Sequence, residues 1–161
     1  MALFSFRHSV KTFSPKCEAE SRMAVSGQTT AHLRYITRAS AARDITRTRL
    51  DRSSNAVLGT IAEKAAEKRK GRVCERFIIA LPVEATDAQR SALARGFAES
   101  LTQGKAGYIL AVHDKQGNDT RNPHFPLVTF DQSGATGGQR RPPSRLCMAG
   151  KKGIEPVSIP W

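Results

Sequence analysis

The chain has 161 residues, enough for one domain with a real hydrophobic core. Its formal net charge of +12 and pI near 10.4 suit a polyanionic partner, of which nucleic acid is the commonest. Three scattered cysteines without CxxC spacing exclude a disulfide framework and a zinc knuckle, and no window is apolar enough for a signal peptide or a membrane span.

A soluble, cytoplasmic protein is the expectation from these features. The charge is unevenly placed. Residues 1–72 carry 15 Lys/Arg against 6 Asp/Glu, residues 73–131 carry 6 against 7, and residues 132–161 carry 5 against 1. A near-neutral centre flanked by cations fits a folded core that presents basic arms to nucleic acid. A merely solvated basic surface is the plainer alternative.

Residues 2–10 alternate as a strand, with Phe4, Phe6, His8 and Val10 on one face. Residues 31–38 read as a helix start capped by Thr29 or Thr30, with His32, Tyr35 and Ile36 on one side. Residues 39–60 are rich in Arg, Thr and Ser and look like a loop or a loosely held helix. Residues 61–70 form a strong helix, with Glu63 and Glu67, Lys64 and Lys68 at exposed spacing, ended by Gly71.

Residues 73–81 give the clearest strand, with Glu75, Phe77 and Ile79 on one face, and Pro82 stops it. Thr86-Asp-Ala-Gln89 matches a capping box. The helix it opens repeats Leu93, Phe97 and Leu101 and ends near Gly104. Residues 107–113 and 124–130 are two further strands, which should pair antiparallel because the loop between them is too short for a crossover helix. Residues 133–161 read as a basic, Gly- and Pro-rich, poorly ordered tail behind a folded domain of residues 1–132. The order of elements predicts an α+β fold, a mostly antiparallel sheet with helices packed on one face.

The chemistry concentrates at the last hairpin. His113 ends one strand and His124 opens the next, so folding can bring them together. Neutral imidazoles suit borderline divalent ions such as zinc, manganese or nickel. Two histidines alone make a weak site, because catalytic metals usually take three protein ligands, and two partly buried structural histidines is the plain alternative.

Several runs together widen the signal: Glu75-Arg-Phe-Ile-Ile-Ala-Leu-Pro-Val-Glu-Ala-Thr-Asp-Ala-Gln-Arg90, Phe97-Ala98, Ala111-Val-His-Asp-Lys-Gln-Gly-Asn118 and Asn122-Pro-His124. In order and spacing these resemble the MobA/MobL family of plasmid mobilisation relaxases, which are HUH endonucleases, over roughly residues 3–132. The resemblance implies an HUH-relaxase-like fold and a tyrosine nucleophile on an N-terminal helix, and Tyr35 is similar in position. It implies a divalent metal of the Mg, Mn or Zn class, held by His113 and His124. It implies single-stranded plasmid DNA at a transfer origin as substrate, accessory mobilisation proteins as partners, and a 5′-phosphotyrosyl product. Arg34, Arg38, Arg43 and Arg47 are the cations placed to track the backbone. Tyr108, inside a strand, reads as core.

One departure is specific. The family pattern is Asn-Pro-His-x-His, and this chain has Asn122-Pro-His-Phe-Pro126. Proline offers no ligand and no strand donor, so it should also perturb the hairpin unless it faces an edge. Water, Asp114 or Glu75 is the expected substitute ligand. The alternatives are a catalytically impaired relaxase-like DNA-binding protein and an unrelated basic nucleic-acid-binding domain.

Overall fold

The computed structural model describes residues 5–14 and 23–130, so the expected tail over 133–161 lies outside the described residues. In chain order the elements are β1 (Phe6–Thr12), α1 (Gln28–Ile36), β2 (Ala42–Thr48), α2 (Asn55–Lys68), β3 (Arg72–Ala80), α3 (Asp87–Thr102), β4 (Tyr108–His113), the single turn α4 (Asn118–Arg121) and β5 (His124–Phe130). The strands form one sheet in the order β1-β3-β5-β4-β2, and every ladder is antiparallel. β5 is therefore central, and β4 and β5 form the expected hairpin. Among the described residues no helix is long and apolar enough to cross a membrane.

The α+β architecture follows the sequence, but the helices occupy both faces of the sheet rather than one. Phe77, Leu110, Phe125 and Leu127 meet Ala94, Phe97 and Ala98 of α3 on one face. Cys74, Ile109, Val128 and Phe130 meet Leu33 and Ile36 of α1 and Leu58, Ala62 and Ala66 of α2 on the other. The reason lies in the inner strands. β4 is buried at every position and β5 at all but its first, a continuous apolar run that a sheet covered on one side does not need. Each such buried Leu, Ile or Phe contributes about 1.5–3 kcal/mol over its exposed state.

β2 replaces the loop or loose helix expected over 39–60. Its residues are polar because it is an edge strand, and its backbone pairs with β4, far along the chain. α2 likewise begins before residue 61, at Asn55, because the Ser54 side chain accepts a hydrogen bond from the Val57 amide. The Thr86–Gln89 capping box of α3 is present in both directions. Leu93, expected inward, is exposed. The core face of α3 is instead Ser91, Ala94, Phe97, Ala98 and Thr102.

The packing of α1 on α2 fixes where Tyr35 stands. α1 is capped not by Thr29 or Thr30 but at Gly27, whose φ of 85° favours glycine. The acceptor comes from α2: Glu63, expected on an exposed face, is buried and accepts from the Gly27 and Thr29 amides at 2.8 Å each. A carboxylate satisfying two orphan donors of a helix N-terminus is a strong anchor. Gly59 completes the fit, since a Cβ there would lie 2.8 Å from the Thr30 backbone nitrogen.

Candidate functional site

His113 and His124 are direct partners across the β4–β5 ladder, with ring centroids 5.3 Å apart and ring planes at 74°. Two nitrogens each about 2.1 Å from a shared ion would set imidazole centroids roughly 5 Å apart. Both rings are oriented by main-chain carbonyls. His113 Nε2–H donates to the Ile36 carbonyl at 2.7 Å, and His124 Nδ1–H donates to the Asn122 carbonyl at 2.8 Å. A carbonyl can only accept, so each of these nitrogens carries the proton and leaves the other with a free lone pair. This is the outer support that metal-binding imidazoles use. Burial pushes the His113 pKa down, with the Ile36 hydrogen bond opposing and nearby His124 assisting. The ring is thereby kept neutral, the form that binds metal.

Tyr35 lies one residue from that Ile36 carbonyl. It is 62% exposed, at the C-terminal end of α1. The Arg38 guanidinium stacks 4.0 Å from its ring centroid, and Arg38 Nη1 donates to the Tyr35 carbonyl at 2.7 Å. A short turn closed by the Ala41 and Ala42 amides on the Arg38 carbonyl then delivers the chain to Ala42, which pairs with His113. The helix bearing Tyr35 is thus tied to the histidine pair both by a hydrogen bond and by chain connectivity. Tyr108 is buried, as expected of core.

The four arginines separate. Arg34 and Arg38 sit at the end of α1 beside Tyr35. Arg47, opposite Ile109 on the α1/α2 face, bonds Asn55 Oδ1 and the Asp51 carbonyl. Arg43 goes elsewhere. It falls at the irregularity in β2, which turns its side chain toward α3, and its Nε donates to both oxygens of Asp114 at 2.8 and 3.0 Å. Its Nη2 bonds the Asp87 carbonyl and Ser91 Oγ. Arg43 is occupied on the far side of the sheet from the histidines.

The same network removes the candidate third ligands. Burial alone would raise the Asp114 pKa, but hydrogen bonds from Arg43 and Arg90 outweigh it and hold the carboxyl below its ordinary value. Glu75 lies on the α3 face of β3, fully buried, with His8 at 3.2 Å and Arg72 at 3.5 Å. Neither carboxylate is available to an ion at His113 and His124, which corrects the expectation that one of them substitutes for the third ligand. Among the described residues no group of three His, Cys, Asp or Glu could hold a metal. The donor set fits a divalent ion in kind and spacing, but with two protein ligands only.

Pro126 explains the shortfall twice over. It occupies the strand position on the face of His124 where a third imidazole would stand. It also sits in the central strand rather than at an edge. The β3 ladder runs unbroken through Ile78–Pro126, whereas the β4 ladder pairs Leu110 with Leu127 and then resumes only at His113–His124. The missing amide proton therefore falls toward β4, beside the histidines.

Strand alternation brings two further residues to this side of the sheet. Glu75, Phe77 and Ile79 occupy one face of β3, so Arg76 and Ile78 occupy the other, which is the side of His124.

The sequence profile of the MobA/MobL family matches residues 23–141 of the chain. A solved structure from "Molecular Basis of Vancomycin Resistance Transfer in Staphylococcus aureus" is similar with a TM-score of 0.60 at 16% identity, over 88% of this chain and 78% of that one. At that identity the likeness shows the fold alone. No curated protein matches the chain.

Proposed function

Because the chain belongs to the MobA/MobL family, we propose that it acts on single-stranded DNA at a plasmid transfer origin, with Tyr35 as the nucleophile. The observation that carries this is the hydrogen bond from His113 to the Ile36 carbonyl, which sets the tyrosine-bearing helix end beside the paired imidazoles. In the reaction the Tyr35 hydroxyl oxygen bonds to phosphorus and the bond from phosphorus to the 3′ oxygen breaks. The phenolic proton ends on that oxygen, leaving a 3′-hydroxyl and a 5′-phosphotyrosyl chain. Reversal rejoins the strand. His113 and His124 would hold a divalent metal, which when bound supplies charge stabilisation at a phosphate oxygen. Arg34, Arg38 and Arg47 would follow the backbone, in the cytoplasm and alongside accessory mobilisation proteins.

A second reading, a relaxase-like protein that binds DNA but cleaves poorly, is favoured by one observation. Asp114 and Glu75 are both committed to arginines or His8, so neither replaces the ligand missing at Pro126. Incubation with manganese and labelled single-stranded origin DNA separates the two. A covalent adduct that vanishes in Tyr35→Phe supports cleavage. Binding without an adduct, converted to cleavage by Pro126→His, supports the impaired form. Failure to bind such DNA at low salt would sink both.

A further inference from the structure

We propose that Arg76 is a second phosphate-binding site for the DNA strand, at the border between the part of the histidine-bearing sheet face that α1 covers and the part that is open, a few nucleotides from the scissile phosphate. It rests on the reading of the chain as a binder of single-stranded DNA and names a contact within that site.

Register gives the placement. Arg76 lies opposite Val128 and Ser9, Ile78 opposite Pro126 and Arg7, and Ala80 opposite His124. Directly paired residues share a face, so Arg76, Ile78 and Arg7 look out on the same side as His124. From Ala80 back to Arg76 is four residues, about 13 Å of strand. α1 and α2 cover this face over Cys74, Val128 and Phe130, whereas Ile78 is 40% exposed and Arg7 is exposed. A strand leaving the histidine pair across Ile78 therefore meets Arg76 and Arg7 next.

The chemistry at Arg76 is unbalanced. Its Nε and Nη2 atoms are buried and have no hydrogen-bond partner among the described residues. Its neighbours do not cure this. One is the buried Cys74 thiol, a weak acceptor. Another is His32, whose pKa is pushed down to about 4 by burial and then by the charges of Arg76 and Lys11. The nearest carboxylate in sequence, Glu75, points to the opposite face, where it meets His8. A guanidinium cannot shed its proton, so a desolvated one with nothing stronger than a thiol beside it is costly. The residue as a whole is only partly covered, so a turn of the side chain toward the open face would bring its two neighbouring N–H groups to paired phosphate oxygens, which match them.

The test uses the whole chain and fluorescently labelled oligothymidylate, with dissociation constants measured from 50 to 300 mM KCl and thermal midpoints measured without DNA. Arg76→Met is expected to keep or raise the midpoint, because an unsatisfied buried charge is gone. It is also expected to weaken binding about tenfold at the lowest salt and to reduce the slope of log affinity against log salt by about 0.7. Arg76→Lys should keep the slope. Unchanged affinity and slope in Arg76→Met would overturn the proposal. Should Arg76→Met not fold, Arg76→Gln carries the same test. The cleavage reading is judged separately. An Arg76-dependent slope with no Tyr35 adduct leaves the phosphate site standing and removes the nuclease, and an adduct with no Arg76 effect does the reverse. If the unaltered chain fails to bind oligothymidylate at 50 mM KCl, both fall.

Discussion

Replacing Pro126 with histidine changes two things at once. An amide proton returns to the gap between Leu110–Leu127 and His113–His124, a hydrogen bond worth about 1 kcal/mol. An imidazole is also added two residues from His124 on the same face, turning a two-ligand arrangement into three ligands with an open position. Pro126 is itself buried, so the larger ring has to displace a neighbour, and its β3 partner Ile78, 40% exposed, is the side chain that can yield. With metal at a hundred times its dissociation constant, binding stabilises the folded state by about 2.7 kcal/mol. At roughly 4 °C per kcal/mol for a body of this size, the variant should melt roughly 4 °C higher without metal and roughly 10 °C higher again with it. Thermal scans in EDTA, zinc and manganese measure both shifts, with His113→Ala in the Pro126→His background as control. Equal metal shifts in the unaltered and Pro126→His chains, or a shift that survives loss of His113, would refute the assignment of this pair as a metal site.

Other expectations come from the anchors of α1. The pKa of His32 falls from 6.5 unfolded to about 4 folded, so its stabilising contribution is fully present above pH 6.5 and is lost as pH falls toward 4. That is on the order of 3 kcal/mol, readable as urea midpoints at pH 7.5 and 4.5, and His32→Gln should flatten the dependence. Glu63→Ala strands the Gly27 and Thr29 amides and should cost about 2–4 kcal/mol in urea unfolding, with Glu63→Gln closer to the original. Arg38→Gln should cost under about 1 kcal/mol of stability, yet lower adduct yield at saturating DNA, since the Tyr35 ring loses the cation stacked on it. A normal yield would count against that stacking mattering.

Whatever depends on local pattern is legible in the sequence. β3, β4 and β5 announce themselves by apolar runs, α3 by its capping box, and the hairpin by a short polar loop, so the sequence alone places His113 and His124 together. Features that depend on distant partners are not legible. β2 is a strand only because β4 pairs with it. Glu63 looks solvent-facing by helical spacing and is buried because the α1 amides need an acceptor. Arg43 looks like a free cation and is not, because Asp114, 71 positions away, turns toward it. Arg76 is one charge in a strand whose apolar alternation dominates the pattern, and its lack of a strong acceptor emerges only once the neighbours are in place.

The strand order has a consequence for synthesis. β1 with β3 and β2 with β4 make two antiparallel pairs, and β5 is the element that joins them. Because β5 is the last strand of the sheet to leave the ribosome, the two halves wait as separate ribbons, with one face of each unpaired edge open to aggregation. His124 and Pro126 arrive with the strand that closes the gap. A nascent chain stalled short of it would carry Tyr35 and His113 with nothing between them to make a site.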